Sequence, residues 1–213
     1  MNEIKFIPLI EPPTLKDENS ELKPEGFPFT NQKEWDIYQK KEIEKNYSNF
    51  PEPIQSGIYQ YNLFEISLDD MEKIIDLHIG DTDIEDSISL FGGYALSINS
   101  EIELFPQCCG LLEEIQLWKN ILNENFTDFY LTECHPSPLI TKRANEIIII
   151  CEDEYETFIP VSTQKEIRLN YNKTVVAFNL LLKELEIYSN NLNKLSEKFK
   201  VDNLANIIIW GKE

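Results

Sequence analysis

The segment 173–200, KTVVAFNLLLKELEIYSNNLNKLSEKFK, carries the clearest periodicity in the chain. Its large apolar side chains recur at alternating intervals of three and four residues: Phe178, Leu181, Leu185, Tyr188, Leu192, Leu195 and Phe199. That spacing predicts one α-helix of roughly 40 Å with an apolar stripe along one side. Two alternatives follow, because the stripe could cover a sheet of its own chain or form a seam with a second copy.

A capping motif marks the start of a shorter helix. Ser67 and Asp70 match the S-x-x-D pattern, in which side chains satisfy backbone N–H groups at a helix start, and apolar residues follow at helical spacing. We therefore predict a helix over 67–79 that ends at Gly80. A further helix is predicted over 31–47, where aromatic residues lie on one side and Glu and Lys on the other.

Strand patterns supply the other half of the fold. Residues 89–98 and 102–105 alternate as a β-hairpin that turns at Asn99-Ser100, and the glycine pair at 92 and 93 indicates a bulge or a close backbone approach. Further predictions are a helix over 111–123, a capping box at Thr163 and Glu166, and strands over 126–132, 146–151, 155–161 and 205–210. The predicted fold class is α+β, a mainly antiparallel sheet flanked by helices, with a long C-terminal helix and a final short strand.

Proline spacing divides the chain into two parts. Five prolines lie within residues 1–30. Because proline fixes φ and lacks an N–H donor, we predict an extended Pro-rich N-terminal arm there, with Phe27 and Phe29 pinning its end. Residues 31–213 are predicted to form a single α+β domain, since a chain of this length is short enough for one core.

The charge of the chain limits its partners. The net charge is −19, yet 42% of the residues are hydrophobic. Highly charged disordered chains are poor in such residues, so we predict that the negative charge lies on a folded surface. Such a surface repels nucleic acids and anionic membranes and attracts basic proteins. We therefore expect a basic protein as partner, and neither nucleic acid nor membrane.

Targeting signals and cysteines bear on the compartment. Residues 1–10 lack the basic and apolar regions of a secretory signal, and the longest apolar runs fall far short of the ~20 residues of a membrane span. Without export, the four cysteines at 108, 109, 134 and 151 are expected to be thiols. The expected location is the cytoplasm.

Metal-ligand patterns are incomplete. Cys108-Cys109 and Cys134-His135 offer zinc ligands by type, but adjacent cysteines cannot easily chelate one ion as C-x₂₋₄-C pairs do. The loop that starts at Asp81 opens like a calcium loop, but it lacks the Gly at its sixth position and the Glu at its twelfth. We expect no metal and no other cofactor.

Catalytic patterns are also missing from the sequence. His78 and His135 are the two histidines, and neither stands in a recognisable triad pattern. The sequence contains no G-x-S-x-G, no G-x-G-x-x-G and no G-x-x-x-x-G-K-[ST]. We expect a protein that is not an enzyme.

An acidic loop is the predicted partner-binding site. Asp81, Asp83, Glu85 and Asp86 place four carboxylates within six residues. A cationic partner would relieve their mutual repulsion, although a solvated connection is the alternative. The sequence therefore assigns partner binding to these residues and predicts no catalytic residues.

Several short stretches carry a family likeness: Ser89–Tyr94, Phe105–Leu111, Trp118 and His135-Pro136. They resemble bacterial proteins of the SMI1/KNR4-like (SUKH) kind over roughly residues 67–160. The resemblance implies an α+β protein with a mainly antiparallel sheet flanked by helices. It also implies an immunity protein, which binds and blocks a toxin encoded beside it and is not an enzyme. Toxin nucleases are often basic because they bind phosphate.

We therefore expect a non-enzymatic, acidic, cytosolic binding protein, most concretely an immunity protein. It would neutralise a basic polymorphic toxin, such as a toxin nuclease, through electrostatically complementary binding. Its interface would have an aromatic centre and an acidic rim, because aromatic residues dominate interface energies while rim charges set rates. The alternative is a structural or regulatory module that homodimerises through the Phe178–Phe199 heptad face.

Overall fold

The structure is a computed structural model that describes residues 3–15, 23–28, 30–132 and 134–212. Within these residues the helices are α1 (Gln32–Asn46), α2 (Leu68–Ile79), α3 (Ile115–Trp118), α4 (Tyr171–Leu192), α5 (Ser196–Phe199) and α6 (Leu204–Ile208). The strands are β1 (Ile4–Ile10), β2 (Tyr61–Asn62), β3 (Gly92–Ile98), β4 (Glu101–Leu104), β5 (Asp128–Tyr130), β6 (Leu139–Arg143), β7 (Glu146–Ile150) and β8 (Glu166–Asn170). The sheets are antiparallel, so the predicted α+β class is confirmed. None of the helices described is long and apolar enough to cross a bilayer.

The chain forms two compact units. The larger unit contains residues 1–9 and 88–213, and the smaller unit contains residues 10–87. These boundaries do not coincide with the predicted one at residue 30. Residues Ile4–Ile10, inside the segment predicted as an arm, form β1 with Phe6 buried. Phe27 stays largely exposed, and Phe29 lies outside the described residues.

The predicted hairpin is present in the larger unit. β3 pairs with β4, and the turn at Asn99-Ser100 has positive φ at both residues, as a type I′ turn requires. The close approach predicted at the glycine pair is also present, because the N–H of Gly92 donates to the carbonyl of Gly110 at 2.8 Å. A Cβ on Gly110 would lie 2.5 Å from the carbonyl oxygen of Gly92. Glycine at 110 therefore allows the two backbones to meet.

A second sheet in the larger unit has the order β5-β6-β7-β8. β7 lies between two neighbours, and Ile147, Ile148 and Ile149 are buried. Alternate side chains of a strand point to opposite faces, so burial of three in a row means that both faces of β7 are covered. This confirms the prediction that this apolar strand is central.

The long helix packs against its own chain. α4 begins at the cap residue Asn170, whose side chain accepts a hydrogen bond from the N–H of Lys173. Five residues of the heptad stripe are buried: Phe178, Leu181, Leu185, Leu192 and Phe199. The ring of Phe178 lies 5.5 Å from that of Phe6 on β1, and Phe6 lies 5.1 Å from Trp118. The stripe thus fills the core of the larger unit.

The helix is less continuous than predicted. α4 ends at Leu192, a 3₁₀ turn follows at Asn193–Leu195, and α5 runs to Phe199. Lys200 has the left-handed φ of 58° that ends the segment. The helix predicted over 111–123 is likewise short, because α3 is one turn flanked by 3₁₀ turns.

Two predicted strands are wrong. Most of the run 205–210 lies in α6, which starts where the side chain of Asn203 accepts a hydrogen bond from the N–H of Asn206. The segment 155–161 is a loop, and the strand lies further on, at β8. Glu166, predicted in a capping box, is instead the first residue of that strand. The predicted strand 126–132 is present as the shorter β5, and β6 was not predicted.

The smaller unit contains the predicted helices. The hydroxyl of Ser67 accepts from the N–H of Asp70 at 3.1 Å and starts α2, which ends before Gly80 with φ of 55°. α1 buries Trp35 and Tyr38, the aromatic side predicted from the sequence. Both helix predictions are therefore confirmed.

Candidate functional site

The predicted acidic loop follows α2 in the smaller unit. Its four carboxylate residues, Asp81, Asp83, Glu85 and Asp86, are exposed. Within it the side chain of Asp83 accepts a hydrogen bond from the N–H of Glu85 at 3.2 Å and starts a 3₁₀ turn. The turn buries Ile84, which anchors the loop. The loop therefore holds its carboxylates toward solvent on a turn of defined shape.

A groove that we did not predict lies in the same unit. It has a volume of about 480 Å³ and is lined by one face of α1 and by residues 47–61. Its aromatic lining residues are Tyr47, Phe50, Tyr59 and Tyr61. Its carboxylate residues are Asp36, Glu44 and Glu52. The groove thus combines an aromatic floor with acidic walls.

The aromatic floor is a packed cluster. The ring of Phe50 lies 4.6 Å from that of Tyr47 and 4.9 Å from that of Tyr61. The hydroxyl of Tyr47 donates to the carbonyl of Pro13. Burial raises the pKa of Tyr61 to about 12. These contacts fix the floor in one arrangement.

Asp36 organises one wall of the groove. Its carboxylate accepts hydrogen bonds from the hydroxyl of Ser56, from the N–H of Gly57 at 3.0 Å and from the hydroxyl of Tyr59 at 3.0 Å. Burial and the bond to Asp36 raise the pKa of Tyr59. The carboxylate of Asp36 thus stabilises the wall of the groove through these hydrogen bonds.

Two further carboxylates stand at the rim. Glu44 and Glu52 are exposed, and Glu52 lies 3.4 Å from the ammonium of Lys40. An exposed pair of this kind contributes at most about 1 kcal/mol, so Lys40 can be displaced by a cation from another molecule. The rim therefore offers negative charge to a partner.

The groove and the acidic loop lie at opposite ends of α2. Asp70, in the first turn of that helix, accepts from the N–H of Ser48 at 3.2 Å, and Ser48 lines the groove. The acidic loop follows the other end, about 18 Å away at 1.5 Å per residue. A partner that contacts both sites must extend over about this distance.

The cysteines and His135 are partly brought together in the larger unit. One ligand atom from each of Cys108, Cys109 and His135 lies within 4.8 Å of the other two, and all three residues are exposed. Cys134 is buried elsewhere, with its thiol donating to the carbonyl of Leu131 at 3.4 Å. Burial and a nearby carboxylate, Glu114, raise the pKa of that thiol. Three of the four residues considered as zinc ligands from the sequence therefore lie close together.

The signal for the groove was present in the sequence but is not specific. Residues 47–61 read YSNFPEPIQSGIYQY, an aromatic-rich stretch interrupted by prolines. Such a stretch indicates a structured loop, but only the fold shows that it closes over α1. The sequence placed the Glu and Lys residues of α1 on the side opposite its aromatic residues and indicated no groove there.

Comparisons with known proteins returned nothing. No family model matches the chain, and neither a curated protein nor a solved structure does. The likeness to SMI1/KNR4-like proteins therefore stays a prediction from the sequence, and the geometry of the site carries the functional proposal.

Proposed function

We propose that this protein binds a basic protein through the groove of its smaller unit. The observation that carries the proposal is the aromatic floor with exposed carboxylates at its rim, on a chain of net charge −19. Aromatic side chains contribute most of the energy of protein interfaces, and surrounding charges select the partner. The groove has both features in one place.

A lysine or arginine side chain of the partner suits this groove. Its aliphatic stem packs against the rings of Phe50 and Tyr59, which are both half-buried. Its charged head reaches Glu44 or Glu52 at the rim, and a charge-assisted hydrogen bond there is stronger than a neutral one. A neutral side chain lacks the charge-assisted hydrogen bond, and an acidic side chain is also repelled by the carboxylates at the rim.

The acidic loop contributes to binding the same partner by raising the association rate and not by anchoring a side chain. Exposed charges away from the centre of an interface mainly raise the association rate, because they attract an opposite charge before contact. Asp81, Asp83, Glu85 and Asp86 are placed for this steering role. Anchoring by the groove and steering by the loop together require a partner with an extended basic surface.

More specifically, we propose that this protein is an immunity protein that binds and neutralises a basic toxin in the cytoplasm. The acidic surface and the resemblance to SMI1/KNR4-like proteins support this form. The homodimer alternative finds less support, because most of the Phe178–Phe199 stripe is already covered within its own chain.

Site-specific photo-crosslinking in the native host tests the proposal. A crosslinking amino acid replaces Ile37, which lines the groove and is 50% exposed. The matched control replaces Ile187 on α4, which is 71% exposed. We expect a crosslinked basic protein from position 37 and none from position 187. The proposal fails if position 37 yields no adduct, or if both positions yield the same protein.

A further inference from the structure

Cys108, Cys109 and His135 form a compact cluster outside the proposed binding groove. Their ligand atoms lie within 4.8 Å of one another. The two sulfur atoms are 3.4 Å apart. In a tetrahedral zinc site with Zn–S bonds of about 2.3 Å, two sulfurs lie about 3.8 Å apart. Only a small side-chain adjustment separates the observed arrangement from a chelating one.

The backbone conformation at Cys109 allows two adjacent cysteines to face the same ion. Neighbouring side chains diverge along an extended chain, so two successive cysteines do not normally face one ion. Here Cys109 has φ of 63°, in the left-handed region that residues other than glycine seldom adopt. The turn brings both sulfur atoms to the same side of the chain. This conformation has no signature in the sequence.

Two contacts between separate chain segments hold the cluster together. The N–H of His135 donates to the carbonyl of Cys108 at 3.0 Å and joins the two segments. The buried side-chain amide of Gln107 accepts a hydrogen bond from the N–H of Ile159 at 2.8 Å and donates one to the carbonyl of Ile159 at 2.9 Å. These two bonds connect the segment of Cys108 to the loop that carries Glu156. The cluster is therefore built by the fold and not by chance proximity of mobile side chains.

Glu156 completes the arrangement behind the histidine. Its Oε2 lies 3.1 Å from Nδ1 of His135. Glu156 is itself placed by Asp153, whose carboxylate accepts from the N–H of Glu156 at 2.9 Å. When Nδ1–H donates to Glu156, Nε2 keeps its lone pair for a metal. A carboxylate behind a ligating histidine is the usual support of zinc sites.

We propose that Cys108, Cys109 and His135 bind one Zn²⁺ ion, with Glu156 orienting the histidine. Two thiolates and one imidazole suit Zn²⁺ and exclude Mg²⁺ or Ca²⁺, which prefer oxygen ligands. Three protein ligands leave a fourth coordination position for water or for a ligand from another molecule. The three residues are exposed, so this position faces solvent. The site does not depend on the groove or on its partner.

Zinc titration of the reduced full-length protein tests the site. The protein is purified without chelators, and its Zn²⁺ affinity and stoichiometry are measured against a competing chelator, with Co²⁺ as a spectroscopic probe of thiolate ligation. We expect one ion per chain. Cys109→Ser and His135→Ala should each weaken binding more than about 100-fold, and Glu156→Gln about 10–100-fold.

Two other cysteines provide matched controls. Cys134→Ala and Cys151→Ala remove buried thiols outside the cluster, and both should leave the Zn²⁺ affinity unchanged. Far-UV circular dichroism checks folding, which exposed substitutions at Cys109 and His135 should not disturb. The proposal is overturned if the wild type binds no Zn²⁺, or if folded Cys109→Ser and His135→Ala proteins bind it as tightly as the wild type.

Discussion

Asp70 is a buried carboxylate whose environment is set by several specific contacts. It is buried, yet its carboxylate accepts from the N–H of Ser48 and from the hydroxyl of Ser67, and it pairs with Lys73 at 3.3 Å. Burial alone would raise the pKa of Asp70, but these contacts outweigh burial and hold it below its usual value. The S-x-x-D motif predicted the helix start, whereas the contact with Ser48 depends on tertiary structure.

We expect Asp70→Asn to reduce the free energy of unfolding by about 1.5–3 kcal/mol near neutral pH, because it removes hydrogen bonds to a charged group. The folded pKa of Asp70 is below the unfolded value of about 4, so its contribution is present above pH 4 and is lost as the pH falls through the folded pKa. Urea unfolding of both proteins across this pH range measures the difference.

Asp69→Asn is the control for Asp70. Asp69 is the neighbouring residue in the same helix turn and is exposed, so its substitution should cost less than about 0.5 kcal/mol. Equal destabilisation by the two substitutions, or a difference that persists unchanged down to acidic pH, would contradict the role assigned to Asp70.

At the scale of elements, α4 decides the packing of the larger unit. Leu185 is fully buried, whereas Ile187 on the same helix is 71% exposed. We expect Leu185→Ala to cost about 2–5 kcal/mol, because it leaves a cavity in a packed core, and Ile187→Ala to cost less than about 0.5 kcal/mol. Chemical denaturation measures both. Similar small losses at the two positions would show that the stripe is not part of the core.

Sequence patterns predicted some elements better than others, for physical reasons. α2, the β3–β4 hairpin and β7 have strong local signals: a cap, a turn with tight geometry and a doubly apolar strand. The run 205–210 is apolar and only six residues long, so periodicity cannot distinguish a buried helix from a strand. The cap at Asn203 was the available signal. β6 was not predicted from the sequence, and it is identified in the structure by its antiparallel pairing with β7.

The candidate sites were less predictable than the fold. The acidic loop was identified from composition, and it is exposed as expected. The cluster around Cys109 brings together residues far apart in sequence, whereas the groove lies within residues 36–61 and forms only when residues 47–61 close over α1. Sequence alone therefore indicated the acidic loop as a candidate site, and it indicated neither the groove nor the cluster.

At the scale of the whole molecule, the loop and the groove should affect binding differently. Replacing Asp81, Asp83, Glu85 and Asp86 by Asn or Gln should slow association with the crosslinked basic partner and leave the fold intact. The difference should shrink toward ~1 M salt, where the Debye length is about 3 Å. Stopped-flow or surface-based kinetics measure the rates. Equal association rates at low salt would show that the loop is only a solvated connection.

Binding affinity after charge reversal tests the central claim most directly. Glu44→Lys/Glu52→Lys at the groove rim and Glu184→Lys/Glu186→Lys on α4 change the net charge equally, and all four glutamates are exposed. Titration calorimetry with the basic partner should show at least about a tenfold loss for the groove variant, because like charges then meet at the interface, and little change for the α4 variant. Equal losses for the two variants, or no loss for the groove variant, would contradict the account.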